Sequence, residues 1–210
     1  TFNGTLWQQL GGEIRVGKNQ DADYASLAML VADGGRVTGP AVPLVAFQET
    51  DGFSNKIYVK QWSEMANDWL KLGDQLDIDL SKEAQHPSLR LFGALPFVAW
   101  QEEGNTNGDI YVKSFDGTTW DMLGNDDYKT QDSSEPFIAT TRDGFTIRAL
   151  VWQGRDGDGQ HVYAKVFDET NGGWSPLPPT GLEPFNTPVK AAENPEMTFG
   201  VFGAYVAFVE

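Results

Sequence analysis

The sequence predicts an all-β fold: a β-propeller of four-stranded antiparallel blades, about four of them, with one blade lacking a strand. Three observations carry this expectation. A phrase of about 50 residues recurs along the 210-residue chain, which is the mark of a repeat architecture. Each copy holds four short runs rich in β-branched and aromatic residues, separated by Gly, Asn and Asp, as strands and turns require. No window carries helical periodicity, and residues 74–86, which come nearest, read as a connecting loop.

The second strand of each copy is the clearest. Leu44-Val45-Ala46-Phe47-Gln48-Glu49 matches Phe97-Val98-Ala99-Trp100-Gln101-Glu102, then Ala149-Leu150-Val151-Trp152-Gln153, then Tyr205-Val206-Ala207-Phe208-Val209-Glu210. Its aromatic residue recurs after 53, 52 and 56 residues. Alternation places Val98 and Trp100 on one face and Phe97 and Ala99 on the other. Both faces are apolar, as a sheet between two neighbouring sheets needs.

The third strand follows as Ile57-Tyr58-Val59-Lys60, Ile110-Tyr111-Val112-Lys113 and Val162-Tyr163-Ala164-Lys165. Its lysines are expected along a blade edge with their heads in water. The fourth strand carries a tryptophan, in Trp7-Gln8-Gln9-Leu10, Trp69-Leu70-Lys71-Leu72, Trp120-Asp121-Met122-Leu123 and Trp174-Ser175-Pro176-Leu177. The first strand is the weakest signal: Ser26 to Leu30, Pro87 to Leu91, Pro136 to Ala139 and Pro195 to Phe199. The Trp and Phe residues read as packing between blades. The repeats span approximately 26–72, 87–123, 136–177, and 195–210 together with 1–10, in one domain covering 1–210.

The strand count is uneven. Residues 1–10 supply a fourth strand, three full copies follow, and 195–210 supply a first and a second strand. Two readings remain open: a window of a longer propeller, or a four-bladed ring whose missing strand comes from elsewhere, possible partners including a strand of another chain docking between the Phe208 and Trp7 strands.

Ser114-Phe115-Asp116-Gly117-Thr118-Thr119-Trp120 resembles the Asp-box of sialidase-like propellers, though it lacks the residue between Asp and Gly. The whole phrase is also similar to kelch-type and lectin-type propeller repeats. The resemblance implies a propeller fold and makes Asp116 a structural turn residue rather than a catalytic one. It also brings in a glycoside hydrolase of sialidase-like type as the alternative function.

Composition narrows the partners. The net charge is −15, which repels nucleic acid and anionic membrane surfaces. No apolar run of about 18 residues is present, so no helical membrane insertion is expected. With 0 Cys there is no disulfide or thiolate chemistry. An extracellular or cell-surface location is the expectation. Strand direction puts the second-to-third-strand loops and the connections between blades on one face, which takes 21 of the 30 acids. A face of one sign attracts cations or basic partners.

Candidate ligand-binding residues on that face are Glu102, Glu103, Asp109, Asp126 and Asp127. Arg155-Asp156-Gly157-Asp158-Gly159 resembles part of a calcium loop, so Asp156 and Asp158 are candidate ligands for Ca²⁺, against the simpler reading of an Asp-Gly hairpin turn. No cofactor is required. His86 and His161 read as surface or turn residues. Only Arg15 and Arg155 of the arginines fall on this face. The main expectation is therefore a non-catalytic module that binds a glycan or a protein through its acidic loops.

Overall fold

In the computed structural model the described residues are 1, 4–18, 20–30, 41–103, 108–124, 132–141, 148–157, 159–177, 185, 191–201 and 203–210. They form only β-structure. The first blade is β1 (Ala22–Leu30), β2 (Val42–Thr50), β3 (Asn55–Ser63) and β4 (Asp68–Lys71). The second is β5 (Ala84–Phe92), β6 (Leu95–Glu103), β7 (Gly108–Phe115) and β8 (Trp120–Met122). The third is β9 (Ser134–Thr140), β10 (Arg148–Asp156), β11 (Gly159–Asp168) and β12 (Gly173–Pro176). Then come β13 (Glu193–Gly200) and β14 (Gly203–Val209). Each blade is an antiparallel meander with its strands side by side in chain order, and β13 pairs with β14 in a two-stranded sheet. These sheets do not close into a ring.

β1 packs on β5, β5 on β9 and β9 on β13. The first strand of every blade is therefore the innermost, along a common axis. The cores lie between blades. Leu44, Ala46, Ile57 and Val59 of the first blade meet Leu89, Val98, Trp100 and Tyr111 of the second. Phe97, Ala99, Ile110 and Val112, from the opposite face of the second blade, meet Ile138, Leu150, Trp152 and Tyr163 of the third. The two-sided apolar alternation of the second strands is thus satisfied on both faces.

Two side-chain devices fasten each blade to the one before it. At the outer rim, the tryptophan of the fourth strand donates its indole N–H to the last carbonyl of the preceding fourth strand: Trp69 Nε1 to Leu10 O (2.8 Å), Trp120 Nε1 to Leu72 O (2.7 Å) and Trp174 Nε1 to Leu123 O (2.8 Å). The residue after that carbonyl is Gly73 or Gly124, at φ 73° and 84°. A Cβ there would lie 2.7 and 2.8 Å from the indole Cδ1 of Trp120 and Trp174. Only glycine fits both the turn and the ring above it.

The second device is a buried glutamate at the end of the second strand. Glu49 accepts the N–H groups of Val16 (2.5 Å) and Gly17 (2.6 Å). Glu102 accepts those of Ile78 (2.6 Å) and Asp79 (3.1 Å), and the Trp100 indole N–H at 3.0 Å. Each carboxylate thus pins the connection that leads into its own blade.

Several expectations are corrected. The inner strands begin at Ala22 and Ala84, not at Ser26 and Pro87, so residues 84–86 belong to β5 rather than to a connecting loop. Lys113 and Lys165 do not carry solvated heads. Lys113 Nζ donates to Leu76 O at 2.7 Å and Lys165 is buried. Lys60 Nζ donates to Arg15 O at 3.0 Å. These ammonium groups satisfy carbonyls of the inter-blade connections, which lie over the third strands. Trp7 is 83% exposed instead of packed. Leu27 and Met29 on β1 and Tyr205 and Val209 on β14 are exposed at the two ends of the described arc.

Replacing Glu102 with Ala leaves three donors, among them the buried Trp100 indole N–H, without their acceptor. Folding stability should fall by about 3 kcal/mol, measured by urea denaturation, and Glu102→Gln should lose less because one oxygen remains. An unchanged midpoint for Glu102→Ala would remove the pinning role.

Candidate functional site

The inner strands share one irregularity. Pairing slips between Asp23 and Ser26, between Gln85 and Ser88, opposite Val151–Gln153 on β9, and between Glu193 and Glu196. Within each slip a non-glycine residue takes a left-handed backbone: Tyr24 (φ 47°), His86 (φ 52°), Glu135 (φ 48°) and Asn194 (φ 51°). Such a conformation costs about 1 kcal/mol for an L-residue. A bulge of this kind re-aims side chains and is frequent beside functional sites.

The bulges are held from the neighbouring blade. Gln48 Oε1 accepts the His86 N–H (3.1 Å), Gln101 Oε1 the Glu135 N–H (3.0 Å) and Gln153 Oε1 the Asn194 N–H (3.1 Å). A pair of serines repeats the pattern two residues on. Ser26 Oγ accepts the Leu89 N–H at 2.9 Å and Ser88 Oγ the Ile138 N–H at 3.0 Å. An innermost strand has one unpaired edge, and these side chains supply acceptors that a further strand would otherwise provide.

The consequence is a pocket of about 260 Å³ at the axis, lined by Tyr24, Ser26, His86, Arg90, Glu135 and Phe137 among others. It lies at the end of the inner strands that meets the inter-blade connections, since Ala22 pairs with Glu49 and Ala84 with Glu102. This is the face to which sequence assigns most of the acids. His86 Nδ1 is 3.0 Å from Glu135 Oε1 and 3.2 Å from Gln101 Oε1. The Gln101 atom is fixed as oxygen because it also accepts the Glu135 N–H. Nδ1 therefore carries the proton, and Nε2 is the atom left for solvent or a ligand. The Tyr24 ring stands edge-on to the imidazole at 4.3 Å between centroids.

Hydrogen bonding to Glu135 raises the His86 pKa above its ordinary 6.5, and Asp23 adds to the rise. A second perturbed group lies under the connections, away from the pocket. Burial raises Asp77 from 3.8 to about 6, even though it accepts the Ile57 N–H at 2.9 Å and has Lys56 Nζ at 3.7 Å. Asp77 Oδ2 has no hydrogen-bond partner among the described residues.

The sequence-derived candidates do not assemble in this pocket. Glu102 is wholly buried and engaged with backbone, so it faces no ligand. Glu103 is exposed at the end of β6, and Asp109, half-buried, pairs opposite Glu102 in β7. Asp126, Asp127 and Asp158 lie outside the described residues. The Asp156 backbone pairs with Gly159 in the β10–β11 hairpin. Among the described residues no group of three His, Asp or Glu side chains is placed to hold a metal ion. Asp116 accepts the N–H groups of Thr118 (2.7 Å) and Thr119 (2.8 Å), as a turn residue does.

Sequence reasoning missed His86, Glu135, Tyr24 and Arg90. His86 is half-buried in the pocket wall instead of lying on the surface, and His161 is 1% exposed. The one available signal was positional: Tyr24, His86, Glu135 and Asn194 stand just before Ala25, Pro87, Pro136 and Pro195 in four aligned strands.

No family model matches the sequence, and no curated protein matches it. Solved structures do. A family 117 glycoside hydrolase from the marine bacterium Zobellia galactanivorans aligns over 97% of this chain and 67% of its own, at TM-score 0.60 and 10% identity. A family 130 structure, described as containing glycoside hydrolases that target β-1,2-mannosidic linkages in Candida mannan, aligns over 90% of this chain and 60% of its own, at TM-score 0.53 and 12% identity. Penicillium chrysogenum α-L-arabinanase complexed with arabinobiose aligns over 87% of this chain and 58% of its own, at TM-score 0.52 and 11% identity. At this identity the likeness shows the propeller fold. The chain spans about 60% of the length of these structures. The Asp-box, kelch-type and lectin-type resemblances carry no further than that fold.

Two pH dependences follow. A raised histidine pKa gives stability that is full below pH 6.5 and lost as pH rises through the folded value. Wild type should therefore exceed Glu135→Gln in unfolding free energy by more at pH 5.5 than at pH 8.5, and an equal gap would contradict the pairing. A raised aspartate pKa has the opposite consequence, since the folded chain binds the proton more tightly. Asp77→Asn should gain on wild type by about 3 kcal/mol between pH 3.5 and pH 7, and a flat difference would show that Asp77 is not desolvated.

Proposed function

We propose that this chain carries a glycoside-hydrolase site in its axial pocket, centred on the His86–Glu135 pair. The observation behind the proposal is the convergence of Tyr24, His86 and Glu135 at the axis, each on a strained bulge, those of His86 and Glu135 held by a glutamine of the preceding blade. Backbone strain retained at three successive inner strands is the kind of cost that function maintains.

Glycosidic bonds are cleaved by proton donation to the leaving oxygen together with a carboxylate that assists water or attacks the sugar carbon. Glu135 and His86 share a proton at 3.0 Å, so the pair can hold or release one near neutral pH. Asp23, which stands beside Tyr24 on β1 and whose charge acts on His86, is the candidate for the second carboxylate. The Tyr24 ring offers an apolar face to a sugar. Three solved propeller structures similar to this chain are described as glycoside hydrolases or an arabinanase, which favours this reading over a non-catalytic binding module.

The test is sugar release from a panel of 4-nitrophenyl glycosides and from arabinan, mannan and pectic polysaccharides. Activity on at least one is expected, with Glu135→Gln at least about 100-fold slower while its circular dichroism is unchanged. Binding of glycans without any release would overturn the enzyme reading and return the chain to a binding module.

A further inference from the structure

Arg90 is the unusual charge of the axial pocket. The chain has 30 acids and a net charge of −15, so an arginine without an acid beside it is not expected. Arg15 has Glu13 at 2.6 Å. Arg148 is bonded to Glu169 and lies over the rings of Phe92 (4.4 Å) and Phe167 (4.5 Å). Arg90, by contrast, has no carboxylate within 4.0 Å among the described residues. Its guanidinium lies over the Phe137 ring at 4.7 Å and spends one N–H, from Nη1, on the Leu89 carbonyl at 2.8 Å.

Arg90 is among the residues that line the pocket. Burial lowers the Arg90 pKa, and Glu196 on β13 opposes that from beyond ion-pair distance. The cation is therefore partly desolvated and, among the described residues, without a carboxylate in contact, a state that a bound anion relieves. The carboxylate among the lining residues, Glu135, is matched by His86 at 3.0 Å. The pocket is thus not anionic, although the face around it is. A planar guanidinium carries a fork of donors that matches a planar, bidentate partner. A volume of about 260 Å³ is at the small end for a ligand site, the scale of one sugar unit.

We infer that the axial pocket selects an acidic glycan, with Arg90 holding the carboxylate of a uronate unit beside the His86–Glu135 pair. This inference rests on the glycoside-hydrolase reading of the same pocket for its sugar, and on Arg90 alone for the charge.

The experiment is isothermal titration of the purified chain with short oligomers of galacturonate, glucuronate and mannuronate, with their methyl esters, and with neutral and sulfated oligosaccharides. At least one uronate series should bind about tenfold or more tighter than its ester, and added salt should weaken it. Arg90→Gln should abolish that preference, and Arg90→Lys should restore it only in part, because an ammonium keeps the charge and loses the fork. Near-ultraviolet circular dichroism checks that both variants fold. Equal affinity for acid and ester, selection of sulfated over carboxylated sugars, or an intact preference in Arg90→Gln would overturn the inference. Neutral glycans cleaved while uronates are ignored would sink it and leave the hydrolase reading standing. Uronates bound through Arg90 but never cleaved would do the reverse. No glycan bound at all would overturn both.

Discussion

The structure depends on how the innermost strands satisfy their open edge. Such a strand pairs with its own blade on one side and with nothing on the other. Its outward N–H groups are close to the axis and need acceptors. Gln48, Gln101 and Gln153 each reach from a second strand to a bulge N–H of the following blade. Ser26 and Ser88, on the inner strands themselves, accept the Leu89 and Ile138 N–H groups, three positions past the bulge residues of the following blades. One set of hydrogen bonds thus closes the edge, sets the angle between blades and holds a left-handed residue in place. The axial pocket is a by-product of that arrangement, because a bulge turns its side chain out of the pleat.

The acids of the loop face take on a different meaning in this light. Their abundance suggests a surface for cations. Yet Glu49 and Glu102 are buried clamps on backbone, and Asp77 is desolvated beneath the same connections. Lysines of the third strands cap carbonyls of those connections. Much of the charge pattern therefore serves the joints between blades. What lines the axial pocket is instead a mixed set: a phenol, an imidazole paired with a carboxylate, and an arginine with no acid partner among the described residues.

The fold was legible because its signals are periodic. Phe47, Trp100, Trp152 and Phe208 recur in matching phrases, and the apolar character of both faces of β6 required neighbours on both sides. Asp116 was legible as a turn because Asp followed by Gly has a local meaning. The site was not legible, because its four bulge residues are Tyr24, His86, Glu135 and Asn194. They share no side-chain chemistry, and none is the glycine that advertises a positive φ. Glu102 misled for the opposite reason. It ends a strand next to a polar loop, where a carboxylate ordinarily meets water, and nothing local reveals that the Ile78 and Asp79 amides come to it from the preceding connection. Trp7 repeats the motif of Trp69 and Trp120 but is exposed, so the motif alone does not decide burial.

Nitrogen-15 NMR of the two histidines tests the central claim most directly, that a side chain from the neighbouring blade fixes the chemistry at the axis. His86 should show a proton on Nδ1 across neutral pH and a titration above its ordinary 6.5. In Gln101→Leu, which removes one acceptor of that proton and the anchor of the Glu135 bulge, the titration should move down toward the ordinary value, with Glu135 keeping the larger share of the rise. A His86 protonated on Nε2, or one unmoved by that substitution, would contradict the account.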